Sequence, residues 1–382
     1  MKVICVTRLF GLLCGLTTMN SLTNKFNNEL TIETLSKITN TKLNDLPHYD
    51  TINDVFDDLN IEELRKIQKY IVYTLIRSKM FDKFRYNGKF QLLIDGTGLV
   101  SFNQKHCDHC LVRKHSDGHF SYEHHVLEAK LVFDSFVLSI DSEFIENPNP
   151  DVINIKKQDC EMKAFKRMAI RLKKNFPKLS FIITGDALYA SGPFIKLCLD
   201  NNWDFMFRLK SDKLRTVNQD FDGLIAINSG SIHKNYFVVN DYQYNQYKFN
   251  IIRFIEHIES KKEKTFTFIT SLPVTDNNIK CLIEMGRRRW KIENHGFNNQ
   301  KNILFNISHM CSLNYNAMKV HYFFTQFAHT IRQLLDFGST LVKVFQGKIK
   351  EISFAILNEL ISSHVSVSLN HNFQLRFDML II

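Results

Sequence analysis

The sequence predicts an α/β fold with a mixed sheet flanked by helices, on three observations. First, from Phe90 the apolar pattern turns from helical to extended, in FQLLIDGTGLVSF and then in YEHHVLEAKLVFDSFVLSIDSEFI. The second run is long enough for two strands of an antiparallel meander. Second, a helix follows from Asp159 to Phe176, with Met162, Phe165, Ala169 and Leu172 as its apolar stripe and Pro177 as its stop. Third, the strand LSFIITGD comes directly after it, and then a helix beginning near Ser191 and Pro193. Meander, helix, strand, helix is the order of an α/β protein.

The other segments are ordered around this core. Residues 1–85 read as a helical N-terminal region. NIEELRKIQKYIVYTLIRSK opens on a capping-box pattern, Asn60 with Glu63, and repeats Ile67, Ile71 and Leu75 on one face. The opening MKVICVTRLFGLLCGL is broken by Arg8 and lacks a small-residue cleavage site, so it reads as a buried first helix rather than a secretion signal. Residues 86–203 form the first part of the core. Residues 204–276 show no helical periodicity and carry the β-type runs WDFMFRLK, KNYFVVNDYQY, FNIIRFIEHI and KTFTFITSLP, which predicts a β-rich insertion. A core helix starting near Asn277 occupies 277–310, and 311–382 is helical again.

Bulk composition is that of an ordinary globular protein, 44% hydrophobic and 23% charged. The net charge of +10 favours an anionic partner. That charge is focused: residues 156–178 hold nine Lys/Arg against Asp159 and Glu161, and residues 285–301 hold five against Glu293. The eight cysteines are mostly scattered singly, as in a reduced cytoplasmic protein rather than a disulfide scaffold. No run reaches the roughly 18 apolar residues that span a bilayer, so no membrane role is expected.

Three acids stand out. Asp95 and Asp186 sit at strand ends inside apolar runs, QLLIDGTGLV and SFIITGDALY, where an unneutralised carboxylate is costly. Glu293 is the single acid of MGRRRWKIENHGFNNQKN, among Arg287, Arg288, Arg289, Lys291 and Lys301. Phosphodiester cleavage is served by two Mg²⁺ ions (or Mn²⁺) roughly 4 Å apart, held by hard carboxylate oxygens and water. Any single Asp after a strand is ordinarily a turn or cap residue. Their order, with a basic helix around the last, is what singles them out. Trp290 and Phe297 read as core residues, and Arg287 and Arg288 could be no more than a solvated face.

In IDGTGL at Asp95, FIITGDALYA at Asp186 and RRRWKIENHGFNNQKN at Glu293, the chain resembles the DDE transposases of bacterial insertion sequences, in the group with a β-rich insertion between the second Asp and the Glu. The resemblance runs over roughly 17–335, with KQDCEMKAFKRMA and VLEAKLV also similar. It implies a ribonuclease-H-like core that cuts element ends and joins them to target DNA, acting on double-stranded DNA as a homodimer, cytoplasmic and nucleoid-associated. It also implies that Asp95 bridges two metal ions while Asp186 and Glu293 each hold one. The helical N-terminal region would then bind element ends. Arg289, Lys301, Arg287, Arg288 and Tyr189 become candidate DNA contacts. The group's helix signature is Tyr, Arg, Glu, Lys. Arg289 fits it, four before Glu293, but Gly286 stands in the Tyr position, Gln300 in the Lys position with Lys301 one later, and His295 where near relatives carry an acid.

Six of the fifteen histidines fall between 106 and 125. Cys107 and Cys110 are spaced C-x2-C with His115 and His119 following, a candidate structural Zn²⁺ site. The competing reading of the whole chain is a catalytically silent DNA-binding protein derived from a transposase. A nuclease or resolvase on a related core is a third reading, distinguished by cutting without joining.

Overall fold

Five helices precede the first strand: α1 (Lys2–Leu13), α2 (Met19–Phe26), α3 (Glu29–Thr39), α4 (Tyr49–Asp57) and α5 (Ile61–Arg77). They belong to a computed structural model that describes residues 1–134, 136–147, 158–227, 235–258, 262–289, 292–337, 349–362 and 364. The opening segment is a helix, as expected, with Leu12 and Arg8 buried. Asn60 caps α5 by accepting from the Glu62 N–H. Its buried face matches the expected stripe only in part: Leu75 is buried and Ile71 packs half-buried against the core, but Ile67 does not. Leu64, Gln68, Val72 and Leu75 turn inward while Ile67 is 46% exposed. Gln68 explains the miss: its amide donates to Ser139 inside the protein, so a polar residue sits on the core face and hides it from a hydrophobic count.

The extended pattern becomes β1 (Phe90–Phe102), β2 (Leu111–Lys114), β3 (Phe120–Phe133) and β4 (Phe136–Ile145). Then come α6 (Glu161–Asn175), β5 (Phe181–Gly185), α7 (Gly192–Asp200) and β6 (Asp204–Leu209), close to the predicted order. The strands run β2-β3-β1-β5-β6-β9-β8-β7, with β4 also on β3; β7 is Tyr236–Tyr244, β8 Tyr247–Ile258 and β9 Lys262–Thr270. β1, β5 and β6 are parallel neighbours and the other pairs are antiparallel, so the sheet is mixed. The core has the ribonuclease-H-like arrangement of an antiparallel meander followed by two parallel strands.

Within 204–276 two findings sharpen the sequence reading. β6 is a parallel neighbour of β5, and β9 continues the same sheet antiparallel to β6. A helix, α8 (Arg215–Ile227), was not expected there. Val217 and Phe221 bury one turn apart, and Ile225 packs against the same cluster. Between them lie four polar or acidic residues and Gly223, which weaken the periodic signal.

The two faces of the sheet bury different partners, as a two-residue side-chain period requires. Phe90, Leu92, Ile94, Phe181 and Ile183 join α5, α6 and α7 in one core. Ile182 and Met206 meet α9 (Ile279–Arg287) on the other face, and Leu93 meets Phe297. Phe297 belongs to a wide-turned π-type helix, Ile292–Ile303, in whose frame Leu304 N–H reaches Asn299 O, five residues back. Beyond it, α10 (Tyr315–Phe337) is buried on nearly all sides, and α11 (Ile349–Ser362) is the last helix among the described residues. These two helices share a second core with α1 to α4, so the chain's first and last helical regions pack together. No helix among the described residues is long and apolar enough to cross a membrane.

Candidate active site

The strand period and the parallel register place the acids. Gln91, Leu93 and Asp95 alternate onto one face of β1. Gln91 donates to Met285 O at the end of α9, and Leu93 packs on Phe297. β1 pairs with β5 from Phe90↔Phe181 to Leu93↔Thr184. Continued two residues further, that register would bring Asp95 alongside Asp186, the first residue past the end of β5. β5 pairs with β6 up to Gly185↔Phe207, which sets Arg208 next in line. On the other side, Asp95 pairs directly with Glu128 of β3. Continued past the end of β5, one row therefore reads Glu128, Asp95, Asp186, Arg208.

Arg289 stands over this row, its Nη1 3.7 Å from Asp95 Oδ2. Asp186 closes the turn after β5, its Oδ1 accepting from the Leu188 N–H. Arg208 lies against the rings of Phe266 and Phe268. Burial, with the Arg289 charge nearby, lowers the Arg208 pKa from its ordinary value. Two guanidinium groups held close to one another beside acids form a place for an anion or for several charges at once.

Glu293 lies on the π-type helix at a position bracketed by two anchors. Arg289, four residues before, pairs with Asp95, and Phe297, four residues after, packs on Leu93. Both anchors meet the same face of β1. Trp290 and Lys291 lie outside the described residues.

Glu161, at the start of α6, entered the sequence reading only as a local charge. Its carboxylate fills the space where a Cβ on Gly96 would stand, 2.3 Å from Oε1, so a larger residue after the Asp of IDGTGL would push Glu161 aside. The Tyr189 hydroxyl donates to Glu161 at 3.1 Å. Burial, with the Asp186 charge adding to it, pushes the Glu161 carboxyl above its ordinary value. An acid in the first turn of a helix reads as a partner for the helix dipole, and the meeting with β1 arises only on folding.

Several expected contacts are placed differently. Tyr189, expected to touch DNA, is fully buried between Phe165, Phe194 and Phe207, so it positions Glu161 instead. Its ring also lies 2.6 Å from where a Cβ on Gly185 would be. Gly185→Ala should cost about 1–3 kcal/mol, because the ring is enclosed and cannot yield. A urea midpoint lowered at constant m would show it; an unchanged midpoint would contradict the packing. Arg287 pairs with Glu256 at 2.5 Å on β8, and Arg288 lines a surface cleft with Glu284 and Lys264. Lys301 lines a separate groove with Lys25, Leu16 and Leu357.

The departures from the helix signature acquire physical reasons. At Gly286 a Cβ would come within 2.7 Å of the Phe268 ring, so β9 occupies the space a tyrosine would need. Gln300 is fully buried, and its side-chain oxygen accepts from the Lys130 ammonium at 3.4 Å. A lysine at 300 would set two buried cations against each other.

The cysteine cluster gathers a different histidine from those expected. Cys107 Sγ and Cys110 Sγ lie 3.7 Å apart, with His124 Nε2 at 3.4 and 3.5 Å from them. His115 and His119 stack on one another across the turn between β2 and β3 and bond Ser121 and Asp117. Four-residue spacing in a hairpin pairs residues with each other across the turn, which turns both rings away from the thiols.

Residues 154–331 match the family model described as the transposase DDE domain. That stretch, rather less than half of the chain, is similar to a transposase DDE domain. The match spans Asp186 and Glu293 and begins after Asp95. Among solved structures, the chain is similar to the piggyBac transposase in a synaptic complex with hairpin DNA, at 12% identity and a TM-score of 0.47, over 94% of this chain and 71% of that one. No curated protein matches it.

Proposed function

We propose that this transposase cuts DNA at the ends of a mobile element and joins them to target DNA, with Asp95, Asp186 and Glu293 as its metal-holding acids. The observation that carries the reading is the register that, continued past the end of β5, brings Asp95 alongside Asp186, under a helix anchored on either side of Glu293. Asp95 and Asp186 are half-buried carboxylates, the hard oxygen donors that Mg²⁺ or Mn²⁺ takes. Two such ions would activate the attacking oxygen and stabilise the leaving one.

The chain's own residues do the rest. Arg289 and Arg208 would meet the phosphate whose charge builds during displacement. Glu161, held by Tyr189, brings a further carboxyl group next to Asp186 and Gly96 at the edge of the site. A homodimer bridging two element ends, and end binding by residues 1–85, belong to the same proposal.

Incubating the full chain with DNA carrying the element's ends, in Mg²⁺ or Mn²⁺, tests it. Cut ends and joined products are expected, and chelation by EDTA should abolish both. Cutting without joining would favour the nuclease reading. Metal-independent, salt-sensitive binding with no cleavage would favour the silent DNA-binding protein.

A further inference from the structure

We propose that Cys107, Cys110 and His124 hold a zinc ion that fastens the loop between β1 and β2 to the sheet and to the start of α10. The three ligand atoms carry this by their geometry alone, whatever the DNA chemistry at Asp95 and Asp186. A tetrahedral ion with bonds of about 2.3 Å to sulfur and about 2.0–2.1 Å to nitrogen sets sulfur atoms roughly 3.8 Å apart and sulfur–nitrogen pairs roughly 3.6 Å apart. The three atoms here lie 3.7, 3.4 and 3.5 Å from each other. These are three edges of that tetrahedron, with the fourth position left for water.

Chemistry and surroundings agree with the geometry. Two thiolates with an imidazole select zinc over Mg²⁺, so this site would not compete for the ion used at Asp95 and Asp186. On binding, each thiol releases its proton to solvent. Two thiolates and a neutral imidazole then cancel the ion's double charge, so the site can be buried without a net charge. Burial is what the structure shows: Cys110 is 2% and His124 1% exposed.

The site joins three parts of the chain. His124 is a β3 residue opposite Val100 of β1, while both cysteines come from the loop that follows β1. Tyr315, the first residue of α10, stacks on His124 at 4.2 Å and on His109 at 5.0 Å. His106, one residue before Cys107, bonds Leu313 O at 2.7 Å. An ion here would hold the loop against the helix that carries the second core.

The test uses the full chain purified without a histidine tag, reduced, and dialysed against Mg²⁺ buffer before metal analysis. One equivalent of zinc is expected, retained in His115→Ala/His119→Ala and lost in Cys107→Ser/Cys110→Ser and in His124→Asn. Replacing zinc by Co²⁺ in wild type should give visible d–d bands of tetrahedral strength with a near-ultraviolet thiolate band. If the cysteine variants fail to fold, the Co²⁺ spectrum of wild type decides. Zinc well below one equivalent after anaerobic reconstitution, or Co²⁺ without a thiolate band, would overturn the proposal in favour of hydrogen-bonded thiols. Loss of zinc in the His115/His119 variant would overturn the ligand set.

Discussion

Replacing Asp186 by Ala, or Asp95 by Asn, should lower DNA cleavage by thousands-fold or more while leaving the fold intact. Each change would remove a metal-holding carboxylate from the row across β1 and β5, and a metal ligand is worth several kcal/mol of transition-state stabilisation. Folding should tolerate both changes, because both acids are only half buried; Asp186 follows the end of β5, whereas Asp95 lies within β1, which runs on to Phe102. DNA binding should not weaken and could tighten, since one negative charge near the phosphates is gone. The split is the informative part: cleavage lost, binding kept, thermal midpoint unchanged. Glu293→Gln should behave the same way. If Asp186→Ala cuts as fast as wild type, the assignment of the acids fails. If it loses binding and cleavage together, the acids are structural.

The sequence made Asp95 and Asp186 legible because each interrupts an apolar strand run, a local and costly event. Their adjacency was not legible. It depends on a parallel register between strands separated by some ninety residues of chain, in which the offset from Phe90↔Phe181 happens to carry 95 onto 186. Arg208 was invisible for the same reason: within WDFMFRLK it is one basic residue of an ordinary strand, and only β5–β6 pairing sets it in line. Helices with a clean stripe, such as α6, were read to within two residues. Those with a polar residue on the buried face, such as Gln68 in α5, were read only in part: Leu75 is buried as expected, Ile67 is not. The cysteine spacing was legible, but the histidine that completes it was not. C-x2-C fixes two atoms through local chain geometry, whereas His124 arrives by strand pairing.

Glu128→Gln should destabilise the fold by about 3–5 kcal/mol, the usual consequence of removing one partner of a buried ion pair. Glu128 is fully buried directly opposite Asp95, accepting from Ser139 at 2.6 Å and Tyr322 at 2.9 Å. Its partner Lys130 is equally buried, with its ammonium 3.8 Å away, over the Phe297 ring and bonded to Gln300 and Gln326. Burial pulls the Lys130 pKa down to about 8, although the Glu128 charge acts to raise it. The sign follows: between that value and the ordinary lysine range near 10.4 the unfolded chain binds the proton and the folded chain does not, so stability rises with pH across the window. Without the Glu128 charge the folded-state pKa falls further. The rise should then begin at lower pH in Glu128→Gln, and the deficit against wild type should shrink as the lysine becomes neutral in both. Lys130→Met/Glu128→Gln should recover most of the loss, because an apolar chain over Phe297 needs no counter-charge. Urea titrations at pH 7 and pH 10 on the three proteins measure all of this, and a deficit independent of pH would mean that shape, not charge, holds Glu128 in place.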